Sequence, residues 1–294
     1  MIQATFRLVS FALLTLIALP EVATAQDLYV SSVLSGTITK ISPAGSQVVF
    51  ASGLDHPRGI VVDASGNVYV AEQGASRIDK FTSAGAMSVF ATTGASYEYG
   101  LALDKSGNLY VADNFSRVEK ITPSGVASVF ASGFVGPVGL TFDSVGNLYV
   151  ANDSGTTISK VTPAGSVSTY ASGLNQPGDL AFDAAGNLYT TNQGSLQIIK
   201  IAPNGSQTVF GSGATYPLGL AFDGSGNLFE ADYGSNQILE ISPSGTQTSF
   251  ASVAGGPNFL AFSQPAATPE PGTRALAAGA GVSAFAVMRR RRRA

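Results

Sequence analysis

Residues 177–213 read PGDLAFDAAGNLYTTNQGSLQIIKIAPNGSQTVFGSG, and their alternation decides the fold. Residues 178–183 (GDLAFD) form a nearly continuous apolar run that predicts a strand covered on both faces. Ala184-Ala185-Gly186-Asn187 is a tight turn, and residues 188–191 (LYTT) resume with alternating side chains as a second strand. A loop over 192–196 leads to a third strand at 197–201, a turn at 202–205 and a fourth strand at 206–210. Period-two segments separated by Gly, Asn and Pro predict antiparallel hairpins.

The same unit recurs along the chain. Lys40, Lys80, Lys120, Lys160, Lys200 and Glu240 stand 40 residues apart, as do Gly45, Gly85, Gly125, Gly165, Gly205 and Gly245. Phe50, Phe90, Phe130, Tyr170, Phe210 and Phe250 keep the same period. A compensated slip in the third unit adds a residue within 91–100 and removes one within 112–120. Four strands per unit of about 40 residues make a propeller blade. The first strand is the innermost, and the recurrent aromatic of the fourth is expected to pack between blades. The chain enters mid-blade with DLYV at 27–30 and ends its last unit with PNFLAF at 257–262, a first strand without a second. Pairing these halves predicts an all-β, six-bladed propeller of four-stranded antiparallel blades, closed by the C-terminal strand in the first blade and free of the edges that invite aggregation.

The composition agrees. In 294 residues, 45% are hydrophobic and 12% charged, enough for a large core, while 34 Gly and 14 Pro supply turns. With no Cys, disulfides and thiolate metal sites are excluded. Between residues 26 and 266 there are 9 basic and 17 acidic residues, a balance of −8, which disfavours nucleic acid.

Both ends read as addresses. Arg7, the apolar run Leu8 to Leu19, and Ala23-Thr24-Ala25 match a signal peptide over residues 1–25, cleaved after Ala25. Residues 26–263 are the propeller, and residues 264–294 are a linker and tail. The tail holds Pro269-Glu270-Pro271, an apolar stretch from Ala275 to Met288, and Arg289, Arg290, Arg291, Arg292 and Arg293. Fourteen small apolar residues are short for a transmembrane helix, which wants about 20. The arginines would stay cytoplasmic.

Two resemblances follow. The tail resembles the PEP-CTERM sorting signal of Gram-negative bacteria, with Arg274 as a departure that shortens the apolar span. That resemblance implies an exported protein of the cell envelope or exterior. It would be anchored transiently in the inner membrane through the tail and processed by an exosortase, in a setting often tied to exopolysaccharide. The unit Pro-x-Gly-Leu-Ala-Phe-Asp-x-x-Gly-Asn-Leu-Tyr-Val-Ala-Asp followed by Ile-x-Lys-Ile resembles the NHL repeat over residues 27–262. It is similar to the wider group of gluconolactonase-like and streptogramin-lyase-like propellers. One such scaffold hosts binding, hydrolysis and lyase chemistry, so the motif speaks for architecture.

Recurring polar residues read as architecture. Asp63, Asp104, Asp143, Asp183 and Asp223 each precede x-x-Gly-Asn and are expected to accept turn N–H bonds. Glu72, Asp113, Asn152, Asn192 and Asp232 follow the second strand and are expected to brace the next loop. The Lys register is expected to form a hydrated face.

Function is expected where blades differ. The fourth-to-first connections carry His56, Arg58, Tyr97, Glu98, Tyr99, Asn175, Gln176, Asp179, Tyr216 and Asn258, and Asp179 and Phe259 replace a Gly found in four blades. The second-to-third connections open on the same face and add Asn114, Phe115, Asp153, Gln193 and Tyr233. Such residues around a concave mouth suit a polar ligand such as a glycan. No catalytic set stands out, and no metal site is expected. Ca²⁺ is the one cofactor candidate, and Asp179 with Asn258 supplies few of the 6–8 oxygens it takes. His56 is the sole histidine, and its neighbour Asp55 is expected to be too close in sequence to orient it. The reading is a monomeric binding or scaffold module for exopolysaccharide or an envelope protein. The alternatives are a metal-dependent lactonase or lyase and a structural spacer.

Overall fold

The computed structural model describes residues 26–93, 99–113 and 115–264. The signal-peptide residues Ala23 and Ala25 and the sorting tail lie outside these. Among the described residues, no helix is long and apolar enough to cross a membrane.

Among the described residues, twenty-four strands form six four-stranded antiparallel sheets. The first blade pairs β24 (Pro257–Phe262) with β1 (Leu28–Ser32), followed by β2 (Thr37–Ile41) and β3 (Gln47–Ser52). Leu28 faces Phe262 and Val30 faces Leu260, so the chain's last strand completes its first sheet as the half-blades require. Blade two starts at β4 (Pro57–Val62), blade three at β8 (Leu101–Leu103), blade four at β12 (Pro137–Phe142), blade five at β16 (Pro177–Phe182) and blade six at β20 (Pro217–Phe222). These first strands touch one another around the ring and, with β24, line a central channel. The loop of blade five holds a single 3-10 turn at Gln193–Ser195.

The second strands are buried along their whole length, and their apolar side chains fill the spaces between blades. The recurrent outer aromatic packs edge-on to the aromatic of its own second strand, with ring centres 4.7–5.1 Å apart in all six blades. The second-strand ring also meets a Phe of the next blade: Tyr110 with Phe142, Tyr149 with Phe182, Tyr189 with Phe222 and Phe229 with Phe262, each at 5.0 Å. Aromatic pairs of this kind add about 0.5–1.5 kcal/mol beyond their buried area.

The lysine register lies along the sheet with its charged ends reaching solvent over aromatic rings. Lys40, Lys80, Lys120, Lys160 and Lys200 are half-buried, with Nζ 5.1–5.7 Å from the centres of Tyr29, Tyr69, Tyr110, Tyr149 and Tyr189. Their stems lie on the sheet and their charges sit over aromatic rings. In blade six Glu240 faces Phe229, so the cation and the phenol are lost together.

The repeated Asp acts as expected. In each x-x-Gly-Asn turn one carboxylate oxygen accepts the N–H of the second and fourth residues on, as Asp183 does from Ala185 and Asn187. The other accepts the Asn amide at 2.7–2.9 Å. Burial pushes Asp104, Asp143 and Asp183 up, but these bonds outweigh it and hold all three carboxyls below their ordinary range.

The polar residues after the second strand brace the next loop as expected, Asn152 through Thr157, Asn192 through Ser195 and Asp232 through Ser235, and most of them brace a second loop as well. All but Asp113 are the strand's last residue, and their oxygens brace the loop that precedes the blade. Glu72 accepts from Asp55 N–H, Asn152 from Val135, Asn192 from Asn175, and Asp232 from Thr215 and Tyr216. Asp113 binds forward, to Phe115, Ser116 and Arg117 N–H.

At the top of the first strands, backbones approach too closely for a side chain. Gly59 N–H donates to Tyr99 O at 2.8 Å and Gly100 N–H to Val138 O at 2.9 Å. A Cβ on Gly59 would strike that Tyr99 oxygen and lie 2.8 Å from Leu101 N. Gly59→Ala is therefore expected to cost about 1–3 kcal/mol, read as a lower denaturation midpoint at unchanged m-value.

Candidate functional site: the channel mouth

The loops of all six blades enclose a cavity of about 400 Å³ at one mouth of the channel. Blade one contributes Val33, Leu34, Asn258 and Phe259, and blade two contributes His56 and Arg58. Blade three gives Tyr99, and blade four gives Val138 and Asp153. Blade five supplies Gly178, Asp179 and Gln193, and blade six Tyr216, Leu218 and Tyr233. The fourth-to-first and second-to-third loops thus share one face.

Of the residues singled out from the sequence, His56, Arg58, Tyr99, Asp179, Tyr216 and Asn258 meet here. Asn175 and Gln176 do not: both are exposed outside the cavity, and the Asn175 amide packs close to Gly194. Tyr97, Glu98 and Asn114 lie outside the described residues. Val33 and Leu34 were not foreseen, because the second-to-third loop of blade one carries only small and apolar residues.

A second cavity of about 490 Å³ opens at the other end of the channel, lined by all six inner strands with Gln26, Gly224 and Gln264 at its rim. Asp179 and Phe259 line both cavities. The two residues that replace glycine therefore form the neck between mouth and channel.

Their backbones are accommodated by a second substitution. The fourth residue of the second strand is Ala71, Ala112, Ala151 or Ala231 in four blades, but Ser31 and Thr191 in the other two. Asp179 N–H donates to Thr191 Oγ1 at 3.0 Å, and that hydroxyl donates to Leu218 O at 2.9 Å. Phe259 N–H donates to Ser31 Oγ at 3.1 Å. A hydroxyl thus takes the N–H that a Gly gives directly to its neighbour. Asp179 Oδ2 accepts from Leu220 N–H at 2.9 Å, yet burial dominates and pushes this carboxyl up to about 7. Asp153 is also pushed up by burial, and its Oδ1 is buried without a hydrogen-bond partner.

On the opposite side of the ring, Arg58 lies over the Tyr99 ring with its guanidinium carbon 4.3 Å from the ring centre. Its Nε donates to Gln73 Oε1 at 2.6 Å. Tyr216 and Tyr233 pack edge to face at 5.9 Å, and Asp232 fixes their loop by accepting Tyr216 N–H at 2.7 Å.

His56 departs from expectation. Its Nδ1 lies 2.6 Å from Asp55 Oδ1, so adjacent residues do form a hydrogen-bonded pair. The geometry is available because His56 takes a positive φ of 54°, which turns its ring back toward Asp55. Among the described residues, no three His, Cys, Asp or Glu side chains converge as a metal site. The arrangement offers hydrogen bonds, one fixed cation and aromatic faces.

No family model matches the chain, and no curated protein matches it. The NHL and PEP-CTERM resemblances thus stand on the residues quoted above. Solved structures do match. The nidogen/laminin complex contains a chain 20% identical with TM-score 0.74, covering 82% of this chain and 99% of that one. Virginiamycin B lyase from Staphylococcus aureus is 20% identical with TM-score 0.56, covering 66% and 69%. A gluconolactonase from Xanthomonas campestris is 16% identical with TM-score 0.67, covering 81% and 89%. A six-bladed propeller shared with a binding protein and two enzymes is what these likenesses show.

Proposed function

We propose that this chain is an exported binding module of the cell envelope, released or re-anchored by an exosortase acting at Pro269-Glu270-Pro271. Its channel mouth takes a polar, glycan-type ligand. One observation carries the reading. Below the mouth the blades largely repeat their residues, and at the mouth Arg58, Tyr99, Gln193, Asn258 and the blade-six pair Tyr216 and Tyr233 gather from five blades. Aromatic rings beside amides and one cation fit a sugar's apolar faces and hydroxyls.

The test is a glycan array probed with the purified protein, followed by calorimetry on any hit. Tyr216→Ala is expected to weaken the hit about fivefold, equivalent to about 1 kcal/mol for an aromatic contact. An array with no retained saccharide overturns the reading, and capture of an envelope protein in its place redirects it.

The Asp55–His56 pair favours a second reading, an acid–base enzyme of the lactonase or lyase kind. A carboxylate that orients an imidazole at a cavity is the minimal proton-transfer device. Turnover of a lactone panel that disappears in His56→Ala would establish it.

A further inference from the structure

We propose that the channel mouth selects a saccharide bearing a carboxylate, seated on the Arg58 guanidinium. The inference rests on the glycan reading above and names the ligand class of that same site.

The three arginines of the described residues are treated differently by the fold. Arg77 reaches Glu72 at 2.8 Å and Asp79 at 3.0 Å, and Arg117 reaches Asp113 at 2.6 Å and Glu119 at 3.1 Å. Both are neutralised within their own blades. Arg58 has no carboxylate partner among the described residues. Its two fixed contacts are neutral, the Tyr99 face and the Gln73 amide. They hold the guanidinium plane while Nε alone is occupied, which leaves the paired terminal nitrogens that bind carboxylates in a bidentate fork. The side chain lines the mouth cavity and is half-buried. A cation so placed is already ordered, so little freedom is lost when an anion arrives.

The far wall complements it. Arg58 stands in blade two and Asp179 in blade five, which face each other across a ring of six, with Asp153 in the adjoining blade four. Asp153 Oδ1 is a buried acceptor without a donor. A ligand spanning the cavity meets a guanidinium at one end and an unfilled acceptor at the other. A uronic acid unit has that polarity: a carboxylate on one edge of the ring and hydroxyl donors on the opposite edge. The rings of Tyr216 and Tyr233 lie between these walls for its carbon face.

The experiment uses the purified full chain on a panel of oligosaccharides containing glucuronate, galacturonate or mannuronate, each beside its methyl ester and its neutral sugar. At least one uronate is expected to bind about tenfold or more tightly than its methyl ester, with the advantage shrinking in salt. Arg58→Gln should lower that affinity to the level of the ester, and Arg58→Lys should restore only part. Unchanged melting temperatures establish that both variants fold. Equal binding of acid and ester, or a uronate bound equally by Arg58→Gln, overturns the inference and leaves the glycan reading intact. Binding of no saccharide at all overturns both.

Discussion

Deletion of Pro257–Phe262 is expected to abolish the cooperative unfolding transition and to drive the protein into aggregates or strand-exchanged oligomers. This strand is the innermost of blade one, and its partner β1 comes from the other end of the chain. It buries Leu260 in a cluster with Leu28, Val30, Phe229 and Val253, and Phe259 and Ala261 pack against the cluster of Leu54, Ile60 and Val70. Blades one, two and six therefore lose core together. The backbone of β1 becomes a free edge, the kind of surface that recruits another strand. A milder version isolates the packing: Leu260→Ala is expected to cost about 2–5 kcal/mol, as for other fully buried leucines. Thermal melts and light scattering check both. A monomeric deletion variant with an unchanged melting temperature would mean that the ring is not closed by this strand.

Glu230→Val is expected to stabilise the protein at pH 8 by a few kcal/mol and to remove about half of its pH dependence between pH 5 and 8. The corresponding residue in the second strand is Val30, Val70, Val111 and Val150 in four blades and Thr190 in the fifth. Glu230 is 1% exposed, and its Oε1 has no hydrogen-bond partner. Burial first and the nearby Asp232 second push its carboxyl up to about 8. The folded state therefore holds a proton that the unfolded chain, with an ordinary carboxylate near 4.3, releases. Its contribution is fully present below about pH 4 and is lost as pH rises through about 8. At about 1.4 kcal/mol per pH unit, a shift of this size costs on the order of 3–5 kcal/mol at the alkaline end. Asp179, raised to about 7, acts in the same direction and stays in the variant. Chemical denaturation at pH 5 and 8 reads the difference. Parallel pH profiles for the two proteins would mean that Glu230 ionises freely in the fold.

The blade count, the closing strand and the repeated Asp turns were legible because each is a local pattern or a chain-long period. The mouth was legible in part, since residues that break the repeat mark where the blades are free to differ. What stayed hidden depended on pairings between strands. Lys over Tyr is a cross-strand relation, Lys80 opposite Tyr69, and it follows only once the register of the hairpin is known. Thr191 with Asp179, and Ser31 with Phe259, could have been found by asking what else changes in the blades that lack the glycine. The Asp55–His56 bond could not, because it needs a positive φ at a residue that rarely takes one.

Gln26 and Gln264 sit together at the lower cavity, where the Gln26 amide donates to Ser263 O at 2.6 Å and accepts from Gly224 N–H at 2.8 Å. Entry and exit of the ring are thus on the side away from Arg58 and Tyr216. If a surface grips the chain beyond Gln264, the disk lies with its Asp-x-x-Gly-Asn turns downward. The mouth with Arg58 and Tyr216 then looks out into the medium, so tethering would leave it open.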